Sequence, residues 1–221
     1  MDERSVPETD RSVANRAKSI DEIESAYARY ADWIDRLELL DRLKTGRYRR
    51  RQFGDVTGPV LDVACGTGTN FPYFPDGTRV VGIDVSPEML RKASDRLGDL
   101  ELVGDVERMN AQSLAFGDDS FETVVSALST CTFPDPVAAL DEMGRVCRPD
   151  GSVRLLEHGL SDLSPIARYQ EWRADSQFER SGCRLTQDPL AVVAESSLRI
   201  VDTTLSMTGS LTAIDAVPEE A

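Results

Sequence analysis

Histidine is almost missing from this 221-residue sequence, which has only His158. Lysine is nearly as scarce: it occurs at Lys18, Lys44 and Lys92, so 22 of the 25 basic residues are arginine. Positive charge as a whole is short, 25 Lys and Arg against 39 Asp and Glu, a net −14. That balance argues against a protein whose main task is gripping nucleic acid phosphates or anionic lipid. An acidic excess with so little lysine fits a cytoplasm of molar salt, where screening removes the self-repulsion, and haloadaptation is the expectation. No apolar run approaches the roughly 18 residues that a bilayer span requires, so integral membrane association is not expected. The opening Met1-Asp2-Glu3-Arg4 lacks the apolar stretch of a secretory signal, which points to a cytoplasmic protein. The four cysteines, Cys65, Cys131, Cys147 and Cys183, form no CxxC pair and no zinc spacing; reduced thiols and no metal are expected. With 40% hydrophobic residues there is still enough apolar material for a buried core.

Residues 1–19 are polar and aperiodic, and are expected to form a mobile tail. From Ile20, apolar residues recur at three- and four-residue steps through Ile23, Ala26, Tyr27, Tyr30, Ile34, Leu37, Leu40 and Leu43. One amphipathic helix or two are expected over 20–53, ending in the basic cluster Arg47 to Arg51, which reads as a solvated helix end. The remainder, 54–221, alternates. Short continuous apolar runs at 60–64, 80–84, 121–126 and 153–157 have the composition of parallel strands covered on both faces. Ser86-Pro87, Asp135-Pro136 and Asp188-Pro189 each place a capping oxygen before a proline at the first helical position. Two closing strands are expected over 198–205 and 211–217, and the segment 148–151 reads as a turn. The expected fold is α/β, a doubly wound and mostly parallel sheet of seven strands with an N-terminal helical lid.

The segment Asp62-Val63-Ala64-Cys65-Gly66-Thr67-Gly68 runs from a strand into a glycine turn. Glycine lets backbone approach a ligand where a Cβ would collide. The spacing separates ligands: the third glycine of a dinucleotide fingerprint would fall on Phe71, and the Gly-Lys-Ser/Thr of a P-loop is absent. Twenty-two residues after Asp62, Asp84 closes the second strand, where a carboxylate can accept bonds from both hydroxyls of a ribose. Turn and carboxylate together imply an adenosine ligand.

With these residues the chain resembles the class I S-adenosylmethionine-dependent methyltransferases, and within them the type-11 family that includes quinone methyltransferases. The family opens with an acidic residue and G-x-G-x-G. Here Ala64 replaces the first glycine, and the position is read as needing a small side chain more than a positive φ. The likeness continues at Gly82-Ile83-Asp84-Val85-Ser86-Pro87-Glu88-Met89-Leu90, at Asn110-Ala111 through Phe121, and at Arg145 through Gly151. Asn110 stands where the family usually has the aspartate that meets the adenine amino group. The resemblance implies S-adenosyl-L-methionine as cofactor, held by Asp62, Ala64, Gly66, Gly68, Asp84, Val85, Met89, Asn110, Ala111 and Ala127.

Glu157-His158-Gly159, Arg168-Tyr169-Gln170 and Gly182 through Thr186 resemble a subgroup related to small-thiol methyltransferases. His158 is a candidate general base at a strand end, beside the alternative of a structural histidine. Tyr30 is a second candidate catalytic residue, with Tyr27 and Trp33 in the segment where type-11 enzymes place a lid. Ser126–Thr130, Glu157–Gly159 and that segment are expected to converge on a mainly apolar pocket for a small thiol, quinol or lipid-like acceptor. A non-catalytic cofactor-binding partner or sensor protein is the alternative reading. Oligomeric state is not legible.

Overall fold

The continuous apolar runs become the centre of a sheet because each can bury both of its faces. In the computed structural model, which describes residues 16–36 and 38–219, the side chains of 30–39 also lie outside what is described. The seven strands are β1 (Pro59–Val63), β2 (Arg79–Asp84), β3 (Val103–Arg108), β4 (Phe121–Ala127), β5 (Cys147–His158), β6 (Leu198–Ser206) and β7 (Leu211–Pro218). Their order is β3-β2-β1-β4-β5-β7-β6. The first five run parallel, and β7 lies antiparallel between β5 and β6. Sequence order reverses between β1 and β4, which in doubly wound sheets opens a crevice beyond the carboxyl ends of the strands.

Helices cover both faces. They are α1 (Ile20–Arg36), α2 (Glu38–Phe53), α3 (Pro87–Gly98), α4 (Pro136–Val146), α5 (Ser164–Ser181) and α6 (Pro189–Ala194). Alternation along each strand divides the core in two. Leu61, Val63, Val124, Leu155 and Ile214 pack on one face with Leu140 and Met143 of α4. Val60, Val125, Leu156 and Leu211 pack on the other with Phe53 of α2 and Leu90 of α3. The three capping signals hold: Ser86 Oγ accepts from Met89 N at 3.4 Å, Asp135 Oδ1 from Ala138 N at 3.0 Å, and Asp188 Oδ1 from Leu190 N at 2.9 Å.

Four expectations need correction. Arg16 to Ser19 do not belong to a loose tail: Arg16 pairs with Asp175 at 2.8 Å and lies over the Phe178 ring, and Lys18 donates to Glu179 O. The rest of the expected tail, 1–15, is outside the described residues. The 148–151 turn is a bulge inside β5, since Cys147 pairs with Phe121 and Ser152 with Thr123. The basic cluster is not wholly solvated, because Arg49 is buried. Finally, β3 and α5 were not foreseen.

Candidate active site

β1 delivers the chain to the crevice through a turn that needs three left-handed residues in five. Ala64 has φ 54°, Gly66 58° and Gly68 75°. Cys65 N donates to Ile83 O at 2.9 Å, which ties the turn to β2. The two glycines serve different ends. A Cβ on Gly66 would meet nothing within 4 Å, so that backbone faces open space, whereas one on Gly68 would sit 2.7 Å from the Phe71 ring. Gly68 is a packing glycine. Ala64, a residue read as needing only small size, takes the left-handed conformation as well.

Asp84 stands opposite. Its Oδ2 accepts from Gly66 N at 3.0 Å and its Oδ1 from Ser86 N at 2.9 Å. Burial pushes its pKa up, and those backbone donors offset part of the rise. A carboxylate has about four lone-pair sites, so these two bonds do not exhaust its capacity for a ligand. These groups line a cavity of about 240 Å³, room for a ligand many atoms long.

Its walls combine most of the expected positions. Ala64, Gly66, Asp84, Val85 and Met89 line it. Asn110, Ala111 and Ala127 line it too, with Asn110 Oδ1 also accepting from Gln112 N at 3.0 Å. Asp62 does not line it. It is fully buried behind the turn, where both carboxylate oxygens accept from Asn70 Nδ2, at 2.9 and 3.1 Å. Burial raises its pKa to about 7, against the lowering effect of Asn70 and of the nearby Arg49 charge. Gly68 is likewise outside the lining.

Much of the remaining lining is apolar: Ile20, Ile23 and Tyr27 of α1, Phe133 and Pro134, and Leu128, which has φ 57°. Of the three segments expected to converge there, Ala127–Ser129 and α1 reach the cavity and Glu157–Gly159 does not. Glu157 is fully buried, and its carboxylate accepts from Ser129 N at 3.1 Å and Thr130 N at 3.3 Å, so it holds the wall from behind. Burial pushes its pKa up. His158 is not among the lining residues either; its Nε2 faces the Cys131 and Cys183 sulfurs at 3.1 and 3.3 Å. Tyr30 and Trp33 have side chains outside the described ones.

The sequence reading missed Arg49 and Asp41 of α2, which also line the cavity, and Met109. Arg49 donates to Asn70 Oδ1, and its Nε donates to Thr45 Oγ1 at 3.2 Å. A signal was present: Thr45, Arg49 and Gln52 recur at helical spacing, which places three polar residues on one buried stripe.

A methyltransferase-domain family matches residues 61–155. A phosphatidylethanolamine N-methyltransferase of Cereibacter sphaeroides is 34% identical over 164 residues, covering 67% of this chain and 79% of that protein. The chain belongs to the S-adenosylmethionine-dependent methyltransferases. A human thiol S-methyltransferase is 29% identical to this methyltransferase over 154 residues, 66% of this chain and 63% of that one. An uncharacterised Mycobacterium tuberculosis protein is 41% identical over 98 residues, but the match spans only 36% of its length. A solved methyltransferase from Thermotoga maritima superposes with TM-score 0.67 at 17% identity, over 88% of this chain and 99% of that one, a likeness of fold. The methyltransferase uses S-adenosylmethionine as its methyl donor.

Proposed function

We propose that this methyltransferase moves a methyl group to a small apolar acceptor seated between Tyr27 and Phe133. The observation that carries this reading is the mixed lining of one cavity, in which Gly66 and Asp84, suited to the cofactor, share the walls with the apolar Ile20, Ile23, Tyr27, Phe133 and Pro134. The relatives support it, since their names give a phospholipid amine, a thiol and, at 34% identity over 134 residues, demethylmenaquinone.

The cofactor supplies, when bound, a methyl group already activated on a sulfonium sulfur. The chain's own residues fit that group. The open space above Gly66 admits a ligand where a Cβ would intrude, and Asp84 has lone pairs free for a ribose diol. Asn110 and Ala111 form the wall for the base. What remains for the protein is to align the acceptor and keep water out, and proximity and orientation supply most of the rate of such a displacement. In this reading α1 is the cover over the acceptor end, and 54–221 with α2 forms the body. The acidic, lysine-poor composition supports work in a salt-rich cytoplasm and disfavours nucleic acid as substrate. No helix of the described residues is long and apolar enough to cross a membrane.

The deciding experiment measures S-adenosylhomocysteine formation with a panel of lipid amines, quinols and thiols. Turnover with a member of the panel is expected; cofactor binding without turnover on any of them would favour a sensor protein. On the cofactor side, Asp84→Ala should weaken binding about ten- to a hundredfold, the worth of a charge-assisted bond of about 1.5–3 kcal/mol. Gly66→Val should do worse, because its side chain would project into the cavity. Calorimetric titration of both variants with S-adenosylhomocysteine checks this, and wild-type affinity in either would remove that residue from the site.

A further inference from the structure

Half of the chain's cysteines and its one histidine meet at a single point behind the acceptor wall. Cys131 lies in the turn after β4, His158 ends β5, and Cys183 follows Gly182, the left-handed cap of α5. The two sulfurs are 3.4 Å apart, and His158 Nε2 is 3.1 Å from one and 3.3 Å from the other. All three donor atoms lie within 4.8 Å of one another, both cysteines are buried, and neither is in a disulfide. The triangle is held from outside by Arg184. Its backbone N donates to Cys131 O at 3.0 Å, and its guanidinium donates to Phe133 O at 2.6 Å and Thr130 O at 3.3 Å. The cysteine-bearing loops are therefore fixed to each other before any ligand arrives.

We propose that Cys131, His158 and Cys183 bind a zinc ion. Zinc takes thiolate sulfur at about 2.3 Å and imidazole nitrogen at about 2.0 Å, and a compact triangle of donors fits one face of its tetrahedron. Two thiolates and an imidazole form a soft to borderline set, which selects zinc over magnesium or calcium. Charge favours the same ion. Two bare thiolates buried together would be costly, whereas zinc displaces both thiol protons and leaves a centre of no net charge. Among the described residues no other His, Cys, Asp or Glu joins the group. A fourth, exchangeable position is therefore left on the metal.

The ion would clamp three chain segments just behind the cavity. Thr132 and Phe133, next to Cys131, line that cavity together with Tyr27. Zinc at this point would fix the shape of that wall, whichever acceptor it receives.

The test uses the full chain, reduced and freed of metal, titrated with cobalt(II) and then zinc. One equivalent of cobalt should produce visible tetrahedral d–d bands and a thiolate charge-transfer band, and zinc should erase both. Cys183→Ser and His158→Ala should each lose more than about a hundredfold in zinc affinity, since partners outside the metal's ligand set are alone worth roughly 10–100-fold. Cys147→Ala, which alters a cysteine away from the cluster, should bind as the wild type does. The cobalt spectrum of the unaltered protein decides the matter even where a variant fails to fold. Three results would overturn the proposal: no metal taken up by the folded chain, unchanged affinity in a folded Cys183→Ser, or a Cys131–Cys183 disulfide in protein trapped from cells with a thiol-blocking reagent.

Discussion

Ala64 is held at φ 54°, where an L-residue pays about 1–2 kcal/mol and a β-branched one more. Ala64→Val should therefore destabilise the protein by about 2 kcal/mol or more, lowering Tm by about 4–8 °C, while Ala64→Gly should stay within about 1 kcal/mol of wild type. Thermal melts of the two variants check this; equal melting of Val and wild type would mean the turn has another conformation. Asp62 gives a prediction in pH. Its folded pKa is about 7 against an unreacted value of 3.8. Between those values the unfolded chain sheds a proton that the fold retains, so stability falls as pH rises from about 4 to 7. The slope approaches about 1.4 kcal/mol per pH unit and levels off above the folded pKa. Asp62→Asn should remove that slope and be relatively more stable at pH 8 than at pH 5, as read from urea midpoints. A difference that did not change with pH would show that Asp62 is ionised in the fold. Residues such as Gly66 and Asp84 were legible because a glycine turn and a strand-end carboxylate are local signals. The cluster of Cys131, His158 and Cys183 was not, because separations of 27 and 25 residues carry no local period.

Elements were legible in proportion to how much of them is buried. β1, β2 and β4 announce themselves by continuous Val, Leu and Ile, and three helices by a cap and a proline. β3 reads Val-Gly-Asp-Val-Glu-Arg and is largely exposed at the sheet edge, so it has no apolar run to detect. α5 is hidden for a related reason: only Ala174, Phe178 and Ser181 of its residues are buried, which leaves almost no stripe. α1 is the opposite case, strongly amphipathic, with Ile23 and Ala26 buried and Tyr27 in the cavity wall. With the cofactor assigned to the β1 turn and Asp84 and the acceptor to Tyr27, Tyr27→Ala should raise the acceptor KM while cofactor affinity stays near wild type. Steady-state kinetics beside cofactor titration separate the two. Equal losses in both would place Tyr27 over the donor instead.

For the molecule as a whole, the charge of −14 is the dominant fact of its surface. Screening extends over about 3 Å at 1 M salt and about 30 Å at 0.01 M, so carboxylates that ignore one another in concentrated salt repel in dilute buffer. Tm should therefore fall substantially on dilution from 1 M to 0.01 M salt, and an unchanged Tm would make the acidic excess incidental. The sheet order has a consequence for how the molecule comes into being. β7 follows β6 in the sequence, yet it lies inside the sheet, paired to β5 on one side and β6 on the other. Among the described residues, β6 has no other neighbour in the sheet. During synthesis the outer strand leaves the ribosome first and must wait unpaired, with the flank of β5 still open, until residues 211–218 follow. The five parallel strands can assemble while the chain is growing, but the last third of the sheet closes only after translation has passed it. A nascent chain halted before Leu211 would carry an open sheet edge, the state that chaperones and proteases recognise.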